Sequence, residues 1–379
     1  MLNMQPEKVI TNVATNSPTR LFTVKIYRKG ENATSTSYQN GVNIMLSELE
    51  KISDRDERSI ILYARLWQFE KWLREMVYIE LKSKKGRNWF NFHIVENTYK
   101  TDKAFTHIPT TNNNPLSFIT FPELLKLIDK NWELFSEYFP PQNIWKVKID
   151  EIILIRNRVA HFRNSHRDDI DRLLQIMKDV DKGFWYFCTD YNDIYPILPP
   201  ERDTVANKYV HLDPFAYKEV SDNQWARLGT APRGLKYIVS VNSSRRRWSE
   251  KSTEIAGKPG HIYDVSINLR DNWFFNYPKA LTELDKFKDK LIHVCIDSFS
   301  KELRVTIPAV LGTDEVCNII DRMIEIAVNS LTSYHSPDDA RDKVQKISEE
   351  WPEYVLGPYN PLTYLGPDMQ CSFFNIMKD

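Results

Sequence analysis

The chain has 379 residues, enough for two or three domains with cores of their own. It carries 51 lysines and arginines against 51 aspartates and glutamates, which excludes a polycation that binds nucleic acid by bulk charge. No apolar run approaches the ~20 residues of a membrane span, and no signal-peptide pattern opens the chain. We therefore expect a cytoplasmic protein without a membrane partner.

The number and spacing of the cysteines exclude further classes of protein. The chain contains Cys188, Cys295, Cys317 and Cys371, which lie far apart. No two of them have the short spacing of a zinc site, and nothing indicates secretion. We expect reduced core residues, no bound metal and no cofactor.

The N-terminal part is predicted to be helical. Residues 1–40 read as a polar N-terminal arm, in which residues 20–28 alternate like a strand. Residues 41–187 are predicted to form an all-α bundle. Its first helices are expected at 42–52 and at 56–81, where apolar residues recur at intervals of three and four.

Three further helices complete the predicted bundle. Thr120 begins one with a capping-box signature, Thr-Phe-Pro-Glu, and helical spacing continues to Phe135 before Pro140-Pro141 stops it. The next helix is expected from about Ile144 to Arg163. A last helix follows the cap at 165–168. Between the early and late helices, residues 82–87 (KSKKGR) read as a solvated turn, with contact to RNA as the alternative.

The helix at 144–163 contains the stretch EIILIRNRVAHFR, with Arg156, Asn157 and His161 on one side of it. Histidine exchanges protons near neutral pH, and arginine holds phosphate oxygens as charge develops on them. Asparagine can orient the phosphate or the imidazole. Because RNA carries its own nucleophile, the 2′-OH, these groups are typical of phosphodiester cleavage without a metal. The spacing alone also fits an ordinary helix surface.

The rest of this helix is apolar on nearly all sides, which predicts more than one packing neighbour. One stripe is expected to face the core of the bundle and comprises Ile152, Ile155, Val159 and Phe162. Ile149 and Ile153 extend a second apolar face, which we expect to contact a second copy of the chain in a symmetric dimer.

The sequence RNRVAH, on a helix that closes an all-helical bundle, resembles the Arg-x4-His motif of HEPN superfamily ribonucleases. The preceding segment, PLSFITFPELLKLIDKNWELF, is similar to HEPN proteins of bacterial toxin and defence systems. The resemblance covers residues 41–187. It implies metal-independent RNA cleavage at a site formed by two facing motifs, usually in a homodimer. His161 would be the general base or acid, Arg156 would stabilise the transition state, and Asn157 would position the reacting groups.

The same resemblance implies a toxin or antiviral defence effector, with an antitoxin or a defence-system protein as a possible partner. Glu70, on the helix at 56–81, is a candidate for orienting His161 or Arg156. An ion pair between Glu70 and Arg74, one turn further along, is the simpler alternative. Two other functions stay open, a non-catalytic RNA-binding or dimerisation module and a metal nuclease.

The C-terminal half differs from the N-terminal part in composition and in predicted secondary structure. Residues 188–233 are rich in proline and aromatic residues and read as a connector. Residues 234–379 read as an α+β domain for substrate selection or regulation, so the fold class of the chain is α+β. Strands are predicted at 235–241, 262–269, 291–297 and 303–310, and helices at 279–290, 314–331 and 338–350.

One cationic patch and an aromatic tail stand out in that half. On a loop between two predicted strands lie Arg245, Arg246, Arg247 and Trp248. They are candidates for gripping an RNA backbone and stacking a base, with a solvated turn as the alternative. The tail is expected to pack on this domain or at a dimer interface, because it contains Trp351, Tyr354, Tyr359, Tyr364, Phe373 and Phe374.

Overall fold

The computed structural model describes residues 56–108, 114–333, 340–351, 353–369 and 372–373. The expected arm and first helix, Cys371 and Phe374 lie outside these ranges. None of the helices in the described ranges is long and apolar enough to cross a membrane.

The first part of the described chain is a bundle of helices. They are α1 (Glu57–Lys85), α2 (Glu96–Ala104), α3 (Phe121–Lys130), α4 (Gln142–Ala160) and α5 (Asp169–Tyr191). Side chains satisfy the free N–H groups at two of the helix starts. Asp56 accepts from Arg58 N, and Thr120 and Glu123 form the expected capping box.

The long helix α1 runs further than its periodicity predicts. Residues 82–85 form its last turn, and Lys82, Ser83 and Gly86 are buried. The prediction of a solvated turn at 82–87 is therefore wrong. The cause is tertiary packing, because these residues contact the second half of the chain. One such contact is the hydrogen bond from Gly260 N to Ser83 O at 3.0 Å.

Helix α1 is the central element and packs against α3, α4 and α5. As expected, the stripe Ile152, Ile155 and Val159 of α4 is buried in this core. Two other expectations for α4 are wrong. Ile149 is only 4% exposed within the chain itself, so it presents no face to a second copy, and Phe162 lies past the helix end and is 98% exposed.

The segment from residue 188 to residue 233, predicted as a connector, holds regular elements. Helix α5 extends to Tyr191, and β1 (Tyr195–Pro196) then joins the main sheet. It is followed by α6 (Thr204–Tyr209) and by an antiparallel hairpin of β2 (Tyr217–Ser221) and β3 (Gln224–Arg227).

A six-stranded sheet forms the second half. Its further strands are β4 (Tyr237–Arg245), β5 (His261–Leu269), β7 (His293–Ile296), β8 (Glu302–Pro308) and β10 (Val355–Leu356), and a separate pair joins β6 (Phe274–Phe275) to β9 (Leu331–Thr332). The order is β1-β4-β5-β8-β7-β10, antiparallel except for β10 with β7. The helices are α7 (Tyr277–Leu284), α8 (Thr313–Asn329) and α9 (Ala340–Glu349). An α+β fold is thus confirmed.

The two faces of the sheet differ in polarity. Asp264 of β5 pairs in register with Asn242 and Thr306, and Thr306 with His293, so these side chains share one face. The opposite face is apolar and packs with α7 and α8. The polar face meets the helical bundle, where the Tyr191 hydroxyl lies 2.8 Å from both His293 Nδ1 and Thr306 Oγ1.

Part of the second half packs into the hydrophobic core of the bundle, while the apolar face of the sheet forms a second core with α7 and α8. Residues of the sheet and of the tail, including Ile262, Ile292, Leu356, Leu362 and Phe373, belong to the same buried cluster as the bundle residues. Of the described tail aromatics, Tyr354 is buried in the second half of the chain as expected. Phe373 instead packs into the helical bundle, against Trp72 and Phe184, and Tyr359 is exposed. Cys188, Cys295 and Cys317 are buried free thiols. The two halves are therefore held together by direct packing.

Candidate functional site

The structure brings Arg156, Asn157 and His161 together at the C-terminal end of α4. Arg156 and Asn157 are half-buried in its last turns, and His161 is the cap residue, with φ −101° and ψ 19°. His161 is exposed. The three side chains expected to act together thus lie at a helix end that is open to a substrate.

Glu70 of α1 holds Arg156 from the side of the bundle. The Arg156 Nε atom lies 3.7 Å from Glu70 Oε2, and the two side chains are 32% and 18% exposed. Glu70 also forms an ion pair with Arg74, which in turn donates to the backbone carbonyls of Leu116 and Ile119. Both contacts considered for Glu70 are therefore present, and the carboxylate faces Arg156 rather than His161.

The imidazole of His161 and the amide of Asn157 make no side-chain hydrogen bond or ion pair within the described ranges. A histidine without a protein partner can exchange its proton with an incoming group. Arg156 is positioned and His161 is free, which suits a clamp and an acid–base group respectively.

The helix end beside His161 has a defined geometry. Phe162 N–H donates to Val159 O at 3.0 Å, and Arg163 N–H donates to Arg158 O at 3.0 Å. This pair of bonds is the Schellman ending, in which the residue after the cap adopts a left-handed conformation. That residue is Phe162, with φ +55°.

The loop that follows is braced at its base. The carboxylate of Asp169 accepts from His166 N at 2.8 Å and lies 3.2 Å from Arg158 Nη2. The hydroxyl of Ser165 donates to the carboxylate of Asp56 at 3.3 Å. These contacts hold residues 165 and 166 against the starts of α1 and α5, so the far end of the loop is anchored.

The cationic patch of the second half is not an exposed loop. Arg246 is fully buried, and its Nε donates to Glu80 Oε1 at 2.8 Å. Trp248 Nε1 donates to Glu80 Oε2 at 2.6 Å. Burial opposes the charge of Arg246, but Glu80 raises the pKa of the guanidinium, so Arg246 stays charged. The assignment of Arg246 and Trp248 to RNA contact is therefore wrong.

The other two arginines of the patch are also engaged. Arg247 binds Asp190 through Nε and Nη2, each at 2.8 Å, and its guanidinium lies 4.0 Å from the centre of the Tyr186 ring. Arg245 is half-buried and donates to Ser249 O. All four residues join the sheet to the bundle, or brace the turn that does so, and lie away from the α4 end.

Sequence reasoning missed one surface near the candidate site. Val147 and Leu154 are 67% and 66% exposed, and with His161 they follow a seven-residue spacing that places all three on one side of α4. This spacing is visible in the sequence. Because α4 has apolar residues on nearly all sides, however, the sequence did not show which of its faces is exposed to solvent.

Within the described ranges, no group of three or more His, Cys, Asp or Glu residues could hold a metal ion. Residues 65–182 match the family model described as Swt1-like HEPN. This match includes Glu70, Arg156, Asn157 and His161, and it ends before the sheet begins. No curated protein and no solved structure matches the chain.

Proposed function

We propose, from the match of residues 65–182 to the Swt1-like HEPN family model, that this protein is an endoribonuclease whose site is the C-terminal end of α4. The family match supports a nuclease or other RNA-related role. The observation that carries the catalytic assignment is the intact set of Arg156, Asn157 and His161 at an open helix end.

The chemistry follows from the groups present. His161 takes the proton of an RNA 2′-OH, whose oxygen attacks the adjacent phosphorus. The bond from phosphorus to the 5′-oxygen breaks, and that oxygen receives a proton from a histidinium. Arg156 stabilises the charge on the phosphate oxygens, and Asn157 orients the phosphate. The products are a 2′,3′-cyclic phosphate and a 5′-OH.

We further propose a homodimer in which two α4 ends face one another, so that one His161 acts as base and the other as acid. Support comes from the exposed Val147 and Leu154 on the same side of α4 as His161. These residues replace Ile149 as the expected contact, because Ile149 is used by the bundle core. A symmetric contact of this kind would bring both His161 side chains to one interface.

The reaction is proposed to need no metal, because the 2′-OH supplies the nucleophile and His161 with Arg156 supplies proton transfer and charge. We propose a cytoplasmic toxin or antiviral defence effector, controlled by an antitoxin or a defence-system partner. The support is the likeness of its helical bundle to HEPN proteins of such systems. The sheet is proposed to select the substrate or to regulate cleavage.

The test is cleavage of single-stranded RNA by purified protein and its His161→Ala variant. Loss of a positioned acid–base group lowers the rate by about 10²–10⁴-fold. His166→Ala is the matched control. His166 is exposed in the loop that follows α4 and has no proposed role in the reaction, so this variant should cleave RNA at the wild-type rate. Excess EDTA should leave cleavage unchanged, and the products should carry 2′,3′-cyclic phosphate.

A folded His161→Ala protein that cleaves as fast as wild type would refute the assignment. If the wild type binds RNA without cutting it, the non-catalytic module is correct. Activity lost on chelation and restored by magnesium would instead establish a metal nuclease.

A further inference from the structure

Neither packing nor backbone geometry explains why position 162 is a phenylalanine. It follows His161 directly and takes the left-handed position of the Schellman ending, with φ +55°. Glycine is the usual residue there because a Cβ atom is disfavoured, and a bulky residue at positive φ is an outlier. An aromatic ring in this position therefore acts against the local structure.

Burial does not compensate for this strain. The ring is 98% exposed within the described part of the chain, the largest exposure of the exposed large hydrophobic side chains there. The residue that follows it is Arg163, so the apolar contact that often accompanies this helix ending is absent. Strained residues persist when the surroundings over-determine them, and they cluster at functional sites.

The surroundings of the ring fit a nucleic acid. Its neighbour on one side is His161, the proposed acid–base group. On the other side, Arg163 is exposed. Arg167 has a side chain that is 82% exposed, and its Nε lies 3.3 Å from the carboxylate of Asp168 in a solvent-exposed ion pair. The backbone that carries the ring lies between the end of α4 and the base of the loop, where Asp169 and Asp56 accept hydrogen bonds from residues 166 and 165.

We propose that Phe162 is a positioning residue that stacks on the nucleobase next to the scissile phosphate. This inference rests on the proposed ribonuclease function and names how the RNA is held. A single-stranded nucleotide presents a flat face to an aromatic ring, while its phosphates pair with arginines. A base stacked on Phe162 would hold the adjoining ribose and its 2′-OH within reach of His161.

An apolar contact with a second copy of the chain is the competing use of the ring, since Val147 and Leu154 are exposed on α4, the helix that ends beside it. The two uses need different side chains. Stacking requires an aromatic face, whereas an apolar interface accepts an aliphatic residue of similar size. Three variants therefore distinguish these uses. Phe162→Tyr keeps the aromatic face, Phe162→Leu keeps only an apolar side chain, and Phe162→Gly removes the side chain and relieves the backbone strain.

The expected results follow from these differences. Phe162→Tyr should retain cleavage. Phe162→Leu and Phe162→Gly should raise KM by about 5- to 100-fold, with a smaller change in kcat, because a lost base–aromatic stack weakens binding. Phe162→Gly should melt at the wild-type temperature or above it, since glycine relieves the strained φ. Higher stability with weaker substrate binding is a combination that a structural role would not produce.

A direct readout uses short single-stranded RNA with a 2′-O-methyl ribose at each position and one 2-aminopurine base. The missing 2′-OH blocks cleavage, and stacking quenches 2-aminopurine fluorescence. Wild type and Phe162→Tyr should quench it, and Phe162→Leu should not. Sedimentation at micromolar concentration should give the same oligomer for all variants.

Wild-type KM and quenching in Phe162→Leu would overturn the proposal. So would a switch to monomer in Phe162→Gly alone, which would assign the ring to the interface between copies. Absence of cleavage by the wild type would refute the proposed function, and the quenching assay would still decide whether the ring stacks a base.

Discussion

Two glutamates of α1, Glu70 and Glu80, form ion pairs with arginines from other parts of the chain, and the two pairs differ in exposure and in hydrogen bonding. Glu70 meets Arg156 at 3.7 Å, with both side chains partly exposed. Ten residues further along, Glu80 meets Arg246 at 2.8 Å with neither side chain exposed, and Tyr138 and Trp248 complete the hydrogen bonds of its carboxylate. The first pair leaves its arginine accessible to another anion, whereas the second uses its arginine for structure.

The difference predicts where function and stability lie. A partly exposed ion pair contributes about 0–1 kcal/mol, because water and salt screen it. Removing one partner of a buried pair costs about 3–5 kcal/mol, because the other charge is left without compensation. Changes at Arg156 should therefore affect chemistry, and changes at Arg246 should affect folding.

The largest expected effect is on stability. Arg246→Met should lower the free energy of unfolding by about 3–5 kcal/mol, because Glu80 would remain buried without its cation. Urea denaturation followed by circular dichroism measures this. Arg245→Met is the matched control and should cost about 1 kcal/mol or less, since Arg245 is half-buried and donates to one backbone carbonyl. Equal effects in the two variants would contradict the buried-pair interpretation.

The next effect is a pH dependence at the same interface. Lys82 is buried, donates to Tyr78 Oη and Lys288 O at 2.9 Å, and has its pKa lowered by burial to about 7 from 10.5. Between these two values the unfolded chain holds a proton that the folded chain releases. Stability from this group should therefore rise with pH across that window, by about 1.4 kcal/mol per pH unit, and be absent below it.

Unfolding of wild type and Lys82→Met, measured from pH 6 to pH 10, checks this prediction. The variant lacks the titrating group, so the difference between the two proteins should change with pH. Parallel stability curves would show that Lys82 keeps its ordinary pKa.

The comparison also shows what the sequence could predict. Periodicity located the α4 core stripe, and the Thr120–Glu123 capping box gave the start of α3. These features follow from local spacing, which the chain carries within a few residues. The burial of Arg246 could not be predicted in this way, because its partner Glu80 is 166 residues away.

In the candidate site, too, local spacing predicted some features and missed others. Its motif residues could be found because they lie within six positions on one helix, and the contact between Glu70 and Arg156 was one of two alternatives. The exposure of Phe162 was missed because α4 ends at Ala160, two residues before the end of the apolar spacing at Phe162. A helix end cannot be placed by periodicity when the next residues continue the pattern.

A third prediction concerns the accessible arginine. Arg156→Lys keeps the positive charge but loses the planar fork that binds phosphate oxygens in pairs, so kcat should fall by about tenfold or more. The free energy of unfolding should change by about 1 kcal/mol or less. Single-turnover cleavage together with urea denaturation separates the two. A loss of stability as large as that of Arg246→Met would contradict the division between the two pairs.

The smallest expected effect is at Glu70. Glu70→Gln removes the charge that holds Arg156 but keeps the size of the side chain, so kcat should fall only a few-fold, about 1 kcal/mol in activation free energy. If Glu70 acts by orienting Arg156, the substitution should have no further effect in an Arg156→Ala background, since residues in contact are not additive. Arg74→Met, which removes the other cation on Glu70, is the control for the α1 ion pair. An undiminished effect of Glu70→Gln in the Arg156→Ala protein would mean that Glu70 acts on the reaction by another route.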